Sequence, residues 1–499
     1  MNIEQYRTDA ENFLGELDKE YYLHFSGKKP ELNLDDIYIK YEFLFSFENS
    51  EFFKNLIENS KGDNKKKAEF LFQFATDTYL GKKYQKISDK IANDEAMAKI
   101  NIDGRDYSFR YSDIMLSNEP DKDKRELIDS KRRKLTSDVF NEDLKIYWES
   151  LHKEAKGLGF ESYASLFIKL KGYDFFALDA GMDRLILETN ELYEEHMDRL
   201  FKNKLGISIH GSKSCDFAYL KRAKEFDVFF KKENLVPIFK ETMSGLGINM
   251  EKQKNVIMDV EERENKSPRA FCCPVKVPSE IYLVVMPSGG QDDYGAMFHE
   301  GGHAEHFANA GRSLDFEYRY LGDNSVTEGF AFCLENLIFE KEWLSSIIGM
   351  DESAAAEFMY FSGLVNLFFL RRYAGKLKYE LRLHDGTGFG EKDLLYSEIL
   401  TKNLIMNYCP ENYLKDVDEG FYCTSYIRAW IFEAQLKDYI LTKFGSSWFK
   451  SKKAGDLLKE LWSYGQKYSP EEILDFLGYK NMDIDYLINS AVNLVKNNK

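Results

Sequence analysis

The chain has 499 residues, 84 of them acidic against 68 basic, and a formal net charge of −16; this excess repels a phosphate backbone and leaves no basic stripe for nucleic acid. With only nine prolines it favours long helices, and its length suits two to four domain-sized units or one large multi-lobed fold. Six cysteines, Cys215, Cys272, Cys273, Cys333, Cys409 and Cys423, form no C-x-x-C pair and no dense framework, which favours a reducing cytoplasmic setting over a disulfide scaffold.

Met1 to Glu20 alternates apolar and charged residues at helical spacing, with neither a basic start nor an apolar run, so it does not read as a signal peptide. From Met1 to about Phe201 helix follows helix. The run Lys67 to Leu80 is expected to close at Gly81, and polar breaks fall at Ser60 to Lys66 and Ser117 to Lys122. The stretch Asn118-Glu-Pro-Asp opens a helix that continues through Lys131-Arg-Arg-Lys134, a solvated charged face. Leu144 to Leu166 reads as a helix stopped by Gly157 and Gly159 with a second starting after it. His152, like His24, His196 and His210, lacks metal-ligand spacing and reads as structural.

After a helical Cys215 to Gly245, the pattern changes between Asn255 and Pro287. Val256 to Val260 and Ile281 to Met286 are short and β-branched or aromatic, and predict two strands of a small sheet. Asp292-Asp293 is placed to cap the helix that follows. From Asp323 the chain is helical again. Its apolar stretches, such as Leu364 to Leu370, are much shorter than the roughly 20 residues a membrane span requires, so a soluble, mainly α protein without a membrane partner is expected. The pattern divides into a helical region over 1–200 and a second over 201–499, interleaved in one compact fold.

The chemistry concentrates at His299-Glu-Gly-Gly-His-Ala-Glu-His306, which holds three of the eight histidines. Two histidines four apart share a helix face, and neutral imidazoles there can both reach one Zn²⁺. Glu300 is then placed to take a proton from the metal's water. Gly301 and Gly302 each cost a helix interior about 1 kcal/mol relative to alanine, so something needs them small: passing substrate, a neighbouring backbone, or a packing contact.

A third ligand is available at Glu328, 29 residues after His299 (328 − 299), enough to finish one helix, turn and return beside it. By spacing alone Glu328 serves equally as a helix-start carboxylate. Glu335, two turns on, shares its face and suits a supporting role, holding a ligand histidine by its other ring nitrogen.

The run Asp259-Val-Glu-Glu-Arg-Glu-Asn-Lys-Ser-Pro-Arg-Ala-Phe-Cys272, followed by a strand, His299 to His306, and Glu328 with Glu335, resembles the thimet oligopeptidase and oligoendopeptidase F family of zinc peptidases. The resemblance extends from about Glu126 to Gln435 and includes Gly157-Leu-Gly-Phe-Glu-Ser-Tyr163. It implies a helix-rich, two-lobed molecule with a deep central channel, a small β-sheet near the zinc site and one Zn²⁺ per chain at the channel floor, acting on short peptides. By the same resemblance His299, His303 and Glu328 bind the metal, and Glu300 is the general base that becomes a general acid toward the leaving amine. His306 is assigned beside the ligands or on the substrate side, because a catalytic zinc keeps one position for water.

Gly420-Phe-Tyr-Cys-Thr-Ser-Tyr426 resembles the F-Y-x-x-x-Y pattern of the oligoendopeptidase F branch, which makes Tyr422 and Tyr426 the candidate oxyanion donors. The family's histidine a few residues upstream is absent between Asn407 and Glu419; Arg428 is the substitute considered, and His384 reads as a helix-end histidine. With a complete His/His/Glu set, Cys272, Cys273 and Cys333 are expected to be buried, unreactive thiols. Two other readings stand beside a zinc oligopeptidase: a metallocarboxypeptidase, whose Taq-type H-E-S-Q stretch is missing around Glu328, and a peptide-binding protein that keeps the zinc but has reduced catalysis. Nothing in the pattern assigns an oligomeric state.

Overall fold

The computed structural model describes residues 1–498. Helices dominate it, and among the described residues the only strands are five short ones in two small sheets, so the fold is mainly α. Strands β1 (Lys99–Ile102) and β2 (Arg105–Ser108) form an antiparallel hairpin; β3 (Val256–Asp259), β4 (Phe271–Lys276) and β5 (Glu280–Val284) form a sheet ordered β3-β5-β4. The chain divides into two compact units, one made of Met1–Tyr79, Lys224–Ser362 and Ser425–Lys499, the other of Leu80–Ala223 and Gly363–Thr424.

The first unit is assembled around the three-stranded sheet. β3 runs parallel to β5, and β4 pairs antiparallel with β5 from the other side. Because side chains alternate along a strand, Cys273, Tyr282 and Val284 face one way and pack with Tyr22 of the N-terminal helix Ile3–Phe25. Tyr22 stacks on Tyr282 with ring centroids 3.7 Å apart. The helix Gln291–Asn309, which carries the histidines, packs on the same three strands. It also packs closely on the helix Asn324–Glu335, which carries Glu328.

β4 is a strand that the sequence reading omits, because Pro274 interrupts it. A proline cannot donate to a ladder and is tolerated at an edge or a bulge. β4 is an edge strand, and its pairing with β5 is irregular between Cys273 and Lys276. The loop before β4 is tied down by the Lys266 ammonium, which is buried and donates to the Asp259 carbonyl (2.8 Å), the Asp259 carboxylate (2.9 Å) and the Glu261 carbonyl (2.9 Å). Arg263 and Lys28 pair with the same carboxylate.

The expected helix Cys215 to Gly245 is broken into Ser214–Lys221 and Leu235–Gly245, with short 3₁₀ turns between.

The second unit is largely helical, including Asn141–Gly157, Tyr163–Lys171 and Phe175–Leu205. The β1–β2 hairpin corrects the expectation of unbroken helices up to Phe201. Its turn is Asp103-Gly104, both at positive φ (50° and 81°), the Asp-Gly chemistry that a two-residue hairpin needs. Gly81 does not end its helix, which runs from Gly62 to Met97; the glycine's penalty of about 1 kcal/mol is small against a helix of that length.

His152 and His384 hydrogen-bond to each other through Nε2 and Nδ1 at 2.7 Å, enclosed by Trp148, Tyr163 and Phe389. The helix Glu352–Leu383 is long and apolar enough to cross a membrane by length and composition, and half of its apolar window is buried in the fold. All six cysteines are free.

Candidate metal centre

The helix bearing the histidines starts after Gly289 and Gly290, both at positive φ (89° and 92°). Gly290 occupies the cap position and offers no side chain. Asp293 therefore acts differently from the simple cap expected: its carboxylate reaches back and accepts from the N–H groups of Ser288 and Gly289, closing the turn that feeds the helix.

The partner helix is capped by Asp323. One carboxylate oxygen accepts from the Ser325 N–H (2.9 Å) and hydroxyl (2.6 Å), and the other accepts from Arg428 at 2.9 Å. Arg428 also makes two hydrogen bonds to Glu471, at 2.7 and 2.9 Å. Its guanidinium thus braces the start of the helix that carries Glu328.

The two helices approach closely because Gly302 has no side chain. A Cβ there would lie 2.5 Å from the Ala331 Cα and 2.9 Å from the Phe330 carbonyl oxygen. At Gly301 a Cβ would lie 2.5 Å from the Phe239 ring. Both glycines of the motif are explained by contacts with protein, Gly302 with backbone and Gly301 with a side chain.

This approach brings three donor atoms together. Nε2 of His299 lies 3.3 Å and Nε2 of His303 3.7 Å from Oε2 of Glu328, and one ligand atom from each residue falls within 4.8 Å of the others. A charge-assisted hydrogen bond would be shorter, about 2.7–2.9 Å. Donors placed tetrahedrally at about 2.1 Å from one ion are about 3.4 Å apart, so two nitrogens and a carboxylate at this spacing fit Zn²⁺.

The other ring nitrogens are held from behind. Nδ1–H of His299 donates to Glu335 Oε2 at 2.7 Å, and Nδ1 of His303 hydrogen-bonds Thr327 Oγ1 at 2.8 Å. Both imidazoles are thereby turned so that Nε2 faces Glu328. Glu335 is where the sequence places a supporting carboxylate; Thr327 is a partner it does not single out, although it adjoins Glu328.

Burial holds the His303 imidazole down at about 3, so it is neutral and able to ligate. Burial works the same way on His299, but the neighbouring Glu328 and Glu335 carboxylates outweigh it and raise that group well above its ordinary value. A positive charge is thus favoured between His299 and Glu328, where a cation would sit. The Glu300 carboxyl is pushed up to about 7 by burial, against the pull of His299 and with the help of the Glu328 charge; it accepts a hydrogen bond from the Cys272 backbone N–H. Burial and the charge of Glu300 also push the Cys272 thiol well above its ordinary range, and burial takes Cys333 up to about 12. Neither is a thiolate at neutral pH.

Tyr426 joins the centre through aromatic contacts. Phe332 meets His299 edge-on at 5.0 Å, and the same ring lies 5.9 Å from Tyr426 and 5.6 Å from Trp430. Tyr422, one turn earlier on the helix Tyr422–Phe444, belongs to the second unit, where the Lys171 ammonium stands 5.9 Å from its ring. His306 points into the core: its Nε2–H donates to the Gly465 carbonyl at 3.0 Å, and its ring packs on Phe330.

A second group of possible ligands, Glu380, Asp418 and Cys423, lies in the other unit. The Lys376 ammonium binds Asp418 at 2.8 Å and stands 3.8 Å from Glu380, filling the position a cation would take. No family model matches the chain, and no curated protein matches it significantly.

Proposed function

We propose that the protein is a zinc-dependent oligopeptidase that hydrolyses peptide bonds of short peptides. The observation that carries this reading is the convergence of His299, His303 and Glu328, with Glu300 between the histidines and turned toward β4. The resemblance of His299–His306 and Glu328 to the thimet oligopeptidase and oligoendopeptidase F family supports it.

Bound zinc would supply Lewis acidity, polarising the scissile carbonyl and making water a better nucleophile near neutral pH. His299, His303 and Glu328 would hold the ion, and Glu335 and Thr327 hold the two imidazoles. Glu300 accepts the proton of the attacking water and passes it to the leaving amine. The Tyr426 hydroxyl donates to the oxyanion as the carbonyl becomes tetrahedral, with Tyr422 the second candidate donor. Arg428 acts by position only: engaged with Asp323 and Glu471, it keeps the Glu328 helix in place.

The test is incubation of the zinc-loaded protein with peptides diverse in sequence and length, followed by mass spectrometry of the products. Internal cuts are expected. Loss of single residues from the C-terminus would instead identify a metallocarboxypeptidase, and tight binding without turnover a peptide-binding protein.

A further inference from the structure

The helix Tyr422–Phe444 leaves one narrow opening where it runs through the first unit. Over 425–436 only Tyr426 and Trp430 are half-buried, and every other residue is buried. A spacing of four puts these two rings on one helix face. Their centroids are 6.3 Å apart, with the ring planes 30° from parallel, so together they present one aromatic surface. The next turn is fixed in place: the buried Glu433 carboxyl accepts a hydrogen bond from the side chain of Asn336, the residue that caps the end of the Glu328 helix.

This surface meets the metal centre through Phe332. The Phe332 ring lies 5.6 Å from Trp430 and 5.9 Å from Tyr426, and it meets His299 edge-on at 5.0 Å. The centre is open on the same side. The Glu328 side chain keeps only 5 % of its surface exposed, whereas Glu335, whose carboxylate holds His299, keeps 29 %. Phe332 and Glu335 are three residues apart and share a helix face, so the accessible edge of the centre and the indole of Trp430 flank one phenyl ring. An indole left partly open on an otherwise buried helix forgoes apolar burial. A bound side chain lying against it would complete that burial.

We propose that Trp430, backed by Phe332, forms a subsite beside the metal that takes an aromatic side chain of the peptide, with Trp430 as its specificity-determining residue. The proposal rests on the oligopeptidase reading and adds a substrate class to it. Two tilted rings at 6.3 Å offer a third ring the offset and edge-on geometries in which aromatic side chains attract one another beyond simple burial. Because the subsite adjoins a ligand histidine, it acts on a residue close to the scissile bond, and its effect appears as a preference at one position of the peptide.

The test uses the zinc-loaded full chain and a peptide blocked at both ends, in which each position in turn carries alanine, phenylalanine or lysine. Wild type should favour phenylalanine over alanine in kcat/KM by about tenfold at one position. Trp430→Ala should bring that ratio close to one, and Trp430→Phe should largely retain it. Affinities of the same peptides for zinc-loaded Glu300→Gln, and for the double variant with Trp430→Ala, give a readout without turnover and should show the same ratios. Zinc content and Tm report whether each variant is intact; if Trp430→Ala is not, Trp430→Leu carries the test and should lower the ratio at the same position. The proposal falls, and the oligopeptidase reading stands, if wild type shows no aromatic preference, if the intact variant keeps the wild-type ratio or slows both peptides equally, or if the position governed by Trp430 prefers lysine, which would mark a site for a cation. If wild type cleaves nothing, that reading falls, and the affinity ratios still decide whether Trp430 takes an aromatic side chain.

Discussion

At the scale of single residues, two groups outside the proposed ligand set orient its imidazoles. Glu335 and Thr327 each hold an Nδ1 and so aim an Nε2. Partners of this kind typically contribute 10–100-fold to metal affinity. Glu335→Gln is therefore expected to weaken zinc binding by about tenfold or more, measured by competition with a chromogenic chelator, while the fold stays intact. Tyr426 differs, because the role proposed for its hydroxyl is only to serve the developing oxyanion. Tyr426→Phe should lower kcat by about 10²–10³, the range for loss of one oxyanion donor, without releasing zinc. A kcat close to wild type would leave Tyr422 as the donor to test next.

At the scale of elements, the decisive contact is between the two ligand-bearing helices. Gly302→Ala would gain up to about 1 kcal/mol of helix propensity. It would also place a methyl group 2.5 Å from the backbone of Ala331, and overpacking costs about 1–3 kcal/mol. Backbone gives way less readily than a side chain, so the clash should win: a lower Tm and weaker zinc binding, as the helices part and Glu328 withdraws from the histidines. Gly81 is the control of opposite sign. A Cβ there meets nothing within 4 Å, so Gly81→Ala should raise stability by about 0.5–1 kcal/mol in chemical denaturation.

At the scale of the whole molecule, buried histidines make stability depend on pH. Burial holds His152 and His306 at about 4, and His384 well below its ordinary value. Below pH about 6.5 the unfolded chain binds protons at these positions that the fold refuses, so the contribution of these histidines falls as pH drops from 6.5 toward 4. Carboxyls raised by burial, Glu305 and Glu433 to about 7 and Glu380 to about 8, act the other way. Asp259, held at about 2 by Arg263, Lys266 and Lys28 against the effect of burial, acts in the same direction as the histidines at lower pH. Its contribution is complete above the ordinary aspartate value and is lost as pH falls through about 2. Tm of wild type and His306→Gln measured from pH 7 to 4 should isolate one histidine's share, the difference between them shifting in favour of the variant as pH falls through 6.5 toward 4.

The mainly α architecture was legible because helical periodicity runs through most of the chain, and His299, His303, Glu328 and Glu335 were legible because their spacings are local to two helices. The elements missed have local causes. Pro274 masks β4 as a strand, since only an edge position or a bulge tolerates it, while Asp103-Gly104 is a hairpin-turn signal that the sequence does carry. Arg428 and His306 show the harder limit: their partners, Asp323, Glu471 and Gly465, lie 105, 43 and 159 residues away in sequence. Pairings across such distances carry no periodic signal.

The most direct test of the account is a paired measurement on Glu300→Gln: zinc content per chain and rate of peptide cleavage, each beside wild type. Because the role proposed for Glu300 is to move protons and not to ligate, the variant should retain one zinc per chain and lose turnover by at least about a hundredfold. Cleavage at the wild-type rate, or loss of zinc along with activity, would contradict the roles assigned to His299, Glu300, His303 and Glu328.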